Sequence, residues 1–160
     1  MLGGLLSALN VFCSKGDHVA FKFSYLLSAL PNLLPITDTA PVHSPLYLDE
    51  ENVWRMDYED MEKKIVEYKI HAAVFCSPYN PVGRVWTRDE IERAMEIFKR
   101  HNVFVVSDEI WSDIITLGHK HIPTQSVSED ARQRTAGSLC SPARLLIWAG
   151  LDRKLPYYLQ

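Results

Sequence analysis

Cysteine is scarce in this chain and nowhere paired. Cys13, Cys76 and Cys140 are odd in number, far apart and without a C-x-x-C spacing. That pattern fits a reducing cytoplasm better than a disulfide framework or a zinc site. A basic surplus is also missing. The 17 Lys and Arg against 20 Asp and Glu leave a formal charge of −3, so no footprint for nucleic acid or an anionic membrane is expected. No apolar run is long enough to span a bilayer, because residues 26–36 are broken by Pro31 and Pro35. The opening M-L-G-G-L-L-S-A-L-N-V-F-C lacks the positive n-region of a signal peptide and runs into the polar turn Ser14-Lys15-Gly16-Asp17. What remains is 160 residues, 47% hydrophobic and 23% charged, the make-up of a soluble globular domain with a sizeable core.

Three stretches carry a clear pattern. In 57–68, Asp57 stands where a helix N-cap belongs, and Met61, Ile65 and Tyr68 fall on one face. Residues 72–76 (A-A-V-F-C) form a short continuous apolar run, as in a strand covered on both sides. Thr87-Arg88-Asp89-Glu90 is a capping box. The helix it opens carries Ile91, Ala94, Met95 and Phe98 at three-to-four spacing and ends near His101 and Asn102. A second buried strand, V-F-V-V at 103–106, is then closed by Ser107-Asp108-Glu109. Strand, helix, strand at these lengths is a βαβ unit, so the chain is α/β with a parallel sheet in at least this part. Residues 20–40 and 136–160 fit neither period and read as foreign to the rest.

In parallel sheets, ligands bind outside the carboxyl ends of the strands. The polar clusters 77–84 and 107–113 sit at those ends. Asp108 follows an apolar strand, where exclusion of water strengthens its pairing with a cationic N–H. Asn80 follows the neighbouring strand, with Pro81 fixing the turn behind it and Gly83 relieving it. Each has a plainer reading, Asp108 as a cap or surface residue and Asn-Pro as a mere turn; their joint position at consecutive strand ends is what makes a site. V-F-V-V-S-D-E also has the form of a Walker B strand, but the early glycines Gly3, Gly4 and Gly16 lack the G-K-[ST] tail that a phosphate loop requires.

The motifs C-S-P-Y-N-P-V-G-R-V-W-T (76–87) and V-V-S-D-E-I-W-S-D (105–113) resemble the fold-type-I pyridoxal-phosphate (PLP) enzymes, the class I/II aminotransferases. Within them the chain is most similar to the cystathionine β-lyase-like branch, which includes the maltose-regulon modulator. The match covers 42–135 well and 1–19 loosely. It implies an incomplete PLP-transferase large domain over 1–160, with a mostly parallel sheet flanked by helices. It also implies an N-terminal segment and a small C-terminal domain outside this chain. PLP is the implied cofactor. Asn80 becomes the donor to its phenolic oxygen and Asp108 the partner of its pyridinium nitrogen, which keeps the ring an electron sink. Trp111 falls where relatives place an aromatic or His near the same oxygen, with simple packing equally open. Gly83 and Arg84 are structural in this reading. The intact protein would be a homodimer acting on a small amino acid by α,β-elimination from a sulfur amino acid, with transamination as the alternative.

The resemblance also predicts what is absent. An S-P-T-Y-x-G-F-T element is expected before residue 40, and P-S-K-T-F-N-L-A-G-L with the Schiff-base lysine after residue 135. Instead Ser141-Pro142-Ala143-Arg144-Leu145-Leu146-Ile147-Trp148 precedes Ala149-Gly150-Leu151, and no lysine stands at Ala143 or Arg144. Written as AGC CCA GCA AGA CTT TTA ATC TGG and read from its third base, Ser141 to Trp148 becomes P-S-K-T-F-N-L. Synonymous codons for 153–160 and 20–27 likewise yield G-S-Y-H-I-I-Y and L-L-S-S-P-T-Y from their second bases. The expectation is a frame-shifted chain that, as written, is an inactive fragment.

Overall fold

A computed structural model describes residues 8–21, 40–116 and 118–136. Four strands lie where the sequence gives little warning: β1 (His18–Phe21), β2 (Ala40–His43), β3 (Leu46–Leu48) and β4 (Trp54–Met56). β3 and β4 form an antiparallel hairpin, and β1 pairs in parallel with β2. Ala20, Phe21 and Ala40 are therefore strand residues, so the patternless stretch placed at 20–40 is too wide at both ends. Residues 22–39 lie outside the described residues. The turn at 14–17 forms as expected, with Asp17 Oδ2 accepting from Ser14 N at 2.7 Å and Gly16 at φ +88°.

Helix α1 (Tyr58–Glu67) starts where the sequence places it. Asp57 caps it by accepting from Asp60 N at 2.9 Å, while Glu59 and Asp60 in the first turn complement the helix dipole. Met61 and Ile65 are buried. Tyr68 departs from the expected apolar face: it is the C-cap, 38% exposed, with its ring 5.4 Å from that of His18.

The predicted βαβ unit is present. β5 (Ala72–Cys76) is buried at all five positions and lies between two strands, β1 and β6. Helix α2 (Arg88–Arg100) opens on the complete Thr87–Glu90 capping box and buries Ile91, Ala94, Met95, Ile97 and Phe98. Burial of a side chain such as Phe98 contributes roughly 1.5–3 kcal/mol. β6 (Phe104–Asp108) begins one residue later and ends two residues later than the sequence reading. Its ladder with β5 continues through Phe75↔Ser107 and Cys76↔Asp108, and Ser77 N still donates to Asp108 O at 3.0 Å. The backbone pairing overrides the polar side chains.

A short helix α3 (Glu129–Arg134), capped by Ser128, leads into β7 (Thr135–Ala136), which pairs with β6. Ala136 thus belongs to the sheet, and residues 137–160 lie outside the described residues. The sheet order is β2-β1-β5-β6-β7, and every pair in it is parallel. α1 packs on α2 and α2 on α3. From β1 the chain runs outward to β2 and then returns across β1 to β5, which makes a topological switch point beside the carboxyl ends of the central strands.

Candidate cofactor site

The loop after β5 is folded into a tight lobe by its own backbone. Tyr79 N donates to Arg84 O and Gly83 N to Tyr79 O, both at 2.8 Å. Gly83 takes φ +73°, a conformation that other residues adopt only with strain. Two side chains anchor the lobe. Trp86 is buried and its indole donates to Cys76 O at 2.9 Å. Arg84 places Nη2 2.8 and 2.9 Å from the two oxygens of Glu90, while its Nε donates to Trp54 O at 3.2 Å. The structural roles expected of Gly83 and Arg84 are thus visible.

Asn80 is half-buried at the tip of this lobe. Together with Pro78, Gly83, Val85, Trp111 and Ile114 it lines a cavity of about 240 Å³. The structure therefore brings Asn80 and Trp111 to one cavity. Asp108 does not line the cavity. It is 3% exposed at the end of β6, and its Oδ1 accepts from Ile110 N at 3.3 Å. The neighbouring Ser77 Oγ is buried with no hydrogen-bond partner among the described residues. A larger cleft of about 650 Å³ lies at the β3–β4 hairpin, where Arg55 pairs with Asp49 at 2.7 Å and with Glu90 at 3.2 Å.

One group of residues escaped the sequence reading. Side chains alternate along a strand, so Ser107 and Glu109 face the side away from Asp108. Glu109 is 2% exposed. Its Oε2 lies 2.7 Å from His121 Nε2, and its Oε1 accepts from Thr124 N at 2.9 Å and from Ser107 Oγ at 2.8 Å. Ser107 Oγ is also 2.9 Å from Thr124 Oγ1. Burial pushes the Glu109 carboxyl up, but the hydrogen bonds from His121, Thr124 and Ser107 outweigh it and hold the group below the usual glutamate value. The available signal was the doublet Asp108-Glu109 at a strand end, where two adjacent carboxylates must face opposite sides.

Cys76 faces the same strand end. Burial and the Asp108 charge push its thiol well above the ordinary cysteine range, and Sγ donates to Pro78 O at 3.1 Å. Among the described residues no group of three metal-ligating side chains occurs, and no helix is long and apolar enough to cross a membrane.

The family model described as "Aminotransferase class I and II" matches residues 12–139. The chain belongs to the class I and II aminotransferase family. Among its relatives, cystathionine beta-lyase PatB of Bacillus subtilis (strain 168) is 36% identical over 148 residues, 92% of this chain and 38% of PatB. Protein MalY of Escherichia coli (strain K12) is 35% identical over 96 residues, 59% of this chain and 25% of MalY. The fold matches a PLP-bound protein of Clostridium difficile 630 with a TM-score of 0.84 and 33% identity, covering 94% of this chain and 38% of that one. The chain thus spans under two fifths of the length of these aminotransferase-family relatives. Both sequence motifs, and the Asn80, Asp108 and Trp111 that they carry, lie inside the matched stretch, which removes the Walker B reading of 103–109.

The residue types present suit one end of PLP: an acceptor-only carboxylate is buried at the end of β6, and an amide and an indole line a mostly apolar cavity, which Asp108 does not line. At about 240 Å³ the cavity is smaller than a complete ligand pocket of roughly 300–1,000 Å³, as one wall of a larger site would be.

Proposed function

We propose that this chain is the cofactor-binding part of a PLP-dependent carbon–sulfur lyase acting by α,β-elimination on a sulfur amino acid. The observation that carries the proposal is the pair of neighbouring parallel strands β5 and β6, ending on the Asn80 lobe and on buried Asp108. When bound, PLP supplies an electron sink for the amino acid's α-carbon. Asp108 would hold the proton on the ring nitrogen, and its low exposure makes that pairing stronger than it would be in water. Asn80 would donate its amide to the phenolic oxygen, and Trp111 would pack beside it. The similarity to PatB favours elimination; the family as a whole favours transamination as the second reading.

The intact protein in this reading is a cytoplasmic homodimer that takes a small amino acid and binds neither nucleic acid nor membrane. The 160-residue chain itself is inactive, because the position of the cofactor lysine holds Ala143-Arg144. The test is a PLP titration followed by absorbance on the wild-type chain and on Asp108→Asn. Asn keeps the size of Asp108 but removes the charge that favours a protonated ring nitrogen. Affinity is expected to fall roughly tenfold or more, as befits a charge-assisted hydrogen bond. Equal affinity would remove Asp108 from the site.

A further inference from the structure

The segment 110–123 leaves the end of β6 and returns to it, and a single carboxylate closes it. Glu109 stands at its start. His121 and Thr124 stand at its return and both bind Glu109, through Nε2 at 2.7 Å and the backbone N at 2.9 Å. The carboxylate is buried, and Ser107 Oγ braces it from within β6 at 2.8 Å. Between these anchors the loop carries Trp111, Ile114, Ile115 and Thr116, which line the cavity together with the Asn80 lobe. Within the loop, Ser112 N donates to Glu109 O at 2.9 Å, Ile114 N to Trp111 O at 3.0 Å and His119 N to Thr116 O at 3.3 Å, all local turns. We propose that Glu109 is a positioning residue for the cofactor site, fixing the 110–123 loop so that Trp111 lines the cavity with Asn80. The proposal rests on the reading of this cavity as part of a PLP site.

Variants separate the tie from the fold. Glu109→Ala removes both anchors. Glu109→Gln keeps an acceptor for Thr124 N and can donate to His121 Nε2, so it preserves the tie without the charge. Glu62→Ala serves as a control, because it removes another carboxylate–imidazole pair, Glu62–His101 at 2.7 Å, away from the cavity. The measurements are amide exchange over 110–124, with residues 72–76 as internal reference, and PLP affinity by titration of the same proteins. In Glu109→Ala the loop should exchange about tenfold faster or more, the loss expected for hydrogen bonds to a charged group, with 72–76 unchanged and PLP affinity reduced. Glu109→Gln should show smaller changes in both, and Glu62→Ala neither. Unchanged loop exchange in Glu109→Ala overturns the proposal, and so does faster exchange with unaltered PLP affinity. A wild-type chain without measurable PLP affinity overturns the cofactor reading, and the positioning role with it, even where the loop responds.

Discussion

Cys76 and Asp108 face each other across the β5–β6 ladder, and that pairing sets the chemistry of both. A thiol in contact with water ionises near 9, but burial and then the Asp108 charge raise Cys76 well above that. Since the thiolate is the reactive form, Cys76 should resist alkylation in the native protein at pH 8 and react only after denaturation. Peptide mass spectrometry of iodoacetamide-treated protein checks this. Cys13, raised to about 11 by burial and then by Asp17, should follow the same order, less completely because it is only half-buried. Fast native labelling of Cys76 would mean that the strand end is open to solvent, and the low-dielectric argument for Asp108 would fail with it. The identity of Asn80 and Asp108 as candidates was legible because strand ends can be read from the sequence. The Glu109–His121 tie was not, because it joins residues that no local pattern relates.

At the scale of elements, the Thr87–Glu90 box does two jobs. Thr87 Oγ1 accepts from Glu90 N at 3.3 Å, and Glu90 Oε2 accepts from Thr87 N at 2.8 Å. The same Glu90 receives Arg84 and Arg55, so the start of α2 is welded to the Asn80 lobe and to the β3–β4 hairpin. Thr87→Ala should therefore cost about 1 kcal/mol, the usual loss of an N-cap. Glu90→Ala should cost more, about 2 kcal/mol, because it also leaves Arg84 without its carboxylate in a partly buried setting. Urea unfolding of the two variants measures the difference; equal costs would show that the ion pairs contribute nothing beyond the cap. The capping box was legible because it is written within four residues. β2 was not: A-P-V-H carries Pro41, which argues against a central strand but is tolerated at the sheet edge that β2 occupies. β6 was read short because Ser107 and Asp108 are polar, although both are buried, Ser107 against Thr124.

For the whole molecule, the proposed reading turns on an amine, since no lysine stands within 141–148. The family match and the βαβ unit contain the residues proposed to hold the ring, while the proposed reading of 141–148, Ser-Pro-Ala-Arg-Leu-Leu-Ile-Trp, is the lysine motif displaced by one reading frame. The lysines elsewhere offer poor substitutes. Lys120 lies only a dozen residues beyond Asp108, in the loop that Glu109 closes, and Lys154 follows the motif in a stretch that itself reads out of frame. Without a lysine at the site, PLP has neither its covalent tether nor the base that moves the substrate's α-proton. The 160-residue chain should therefore bind PLP reversibly, lose it on dialysis, and retain none after borohydride treatment. A full-length gene carrying P-S-K-T-F-N-L at this point should retain cofactor on that lysine after borohydride and release pyruvate from cystathionine. Mass spectrometry of the reduced peptides locates the label. Labelling of the present chain at Lys120, or an unlabelled repaired enzyme, would place the cofactor's anchor elsewhere and end the frame-shift reading.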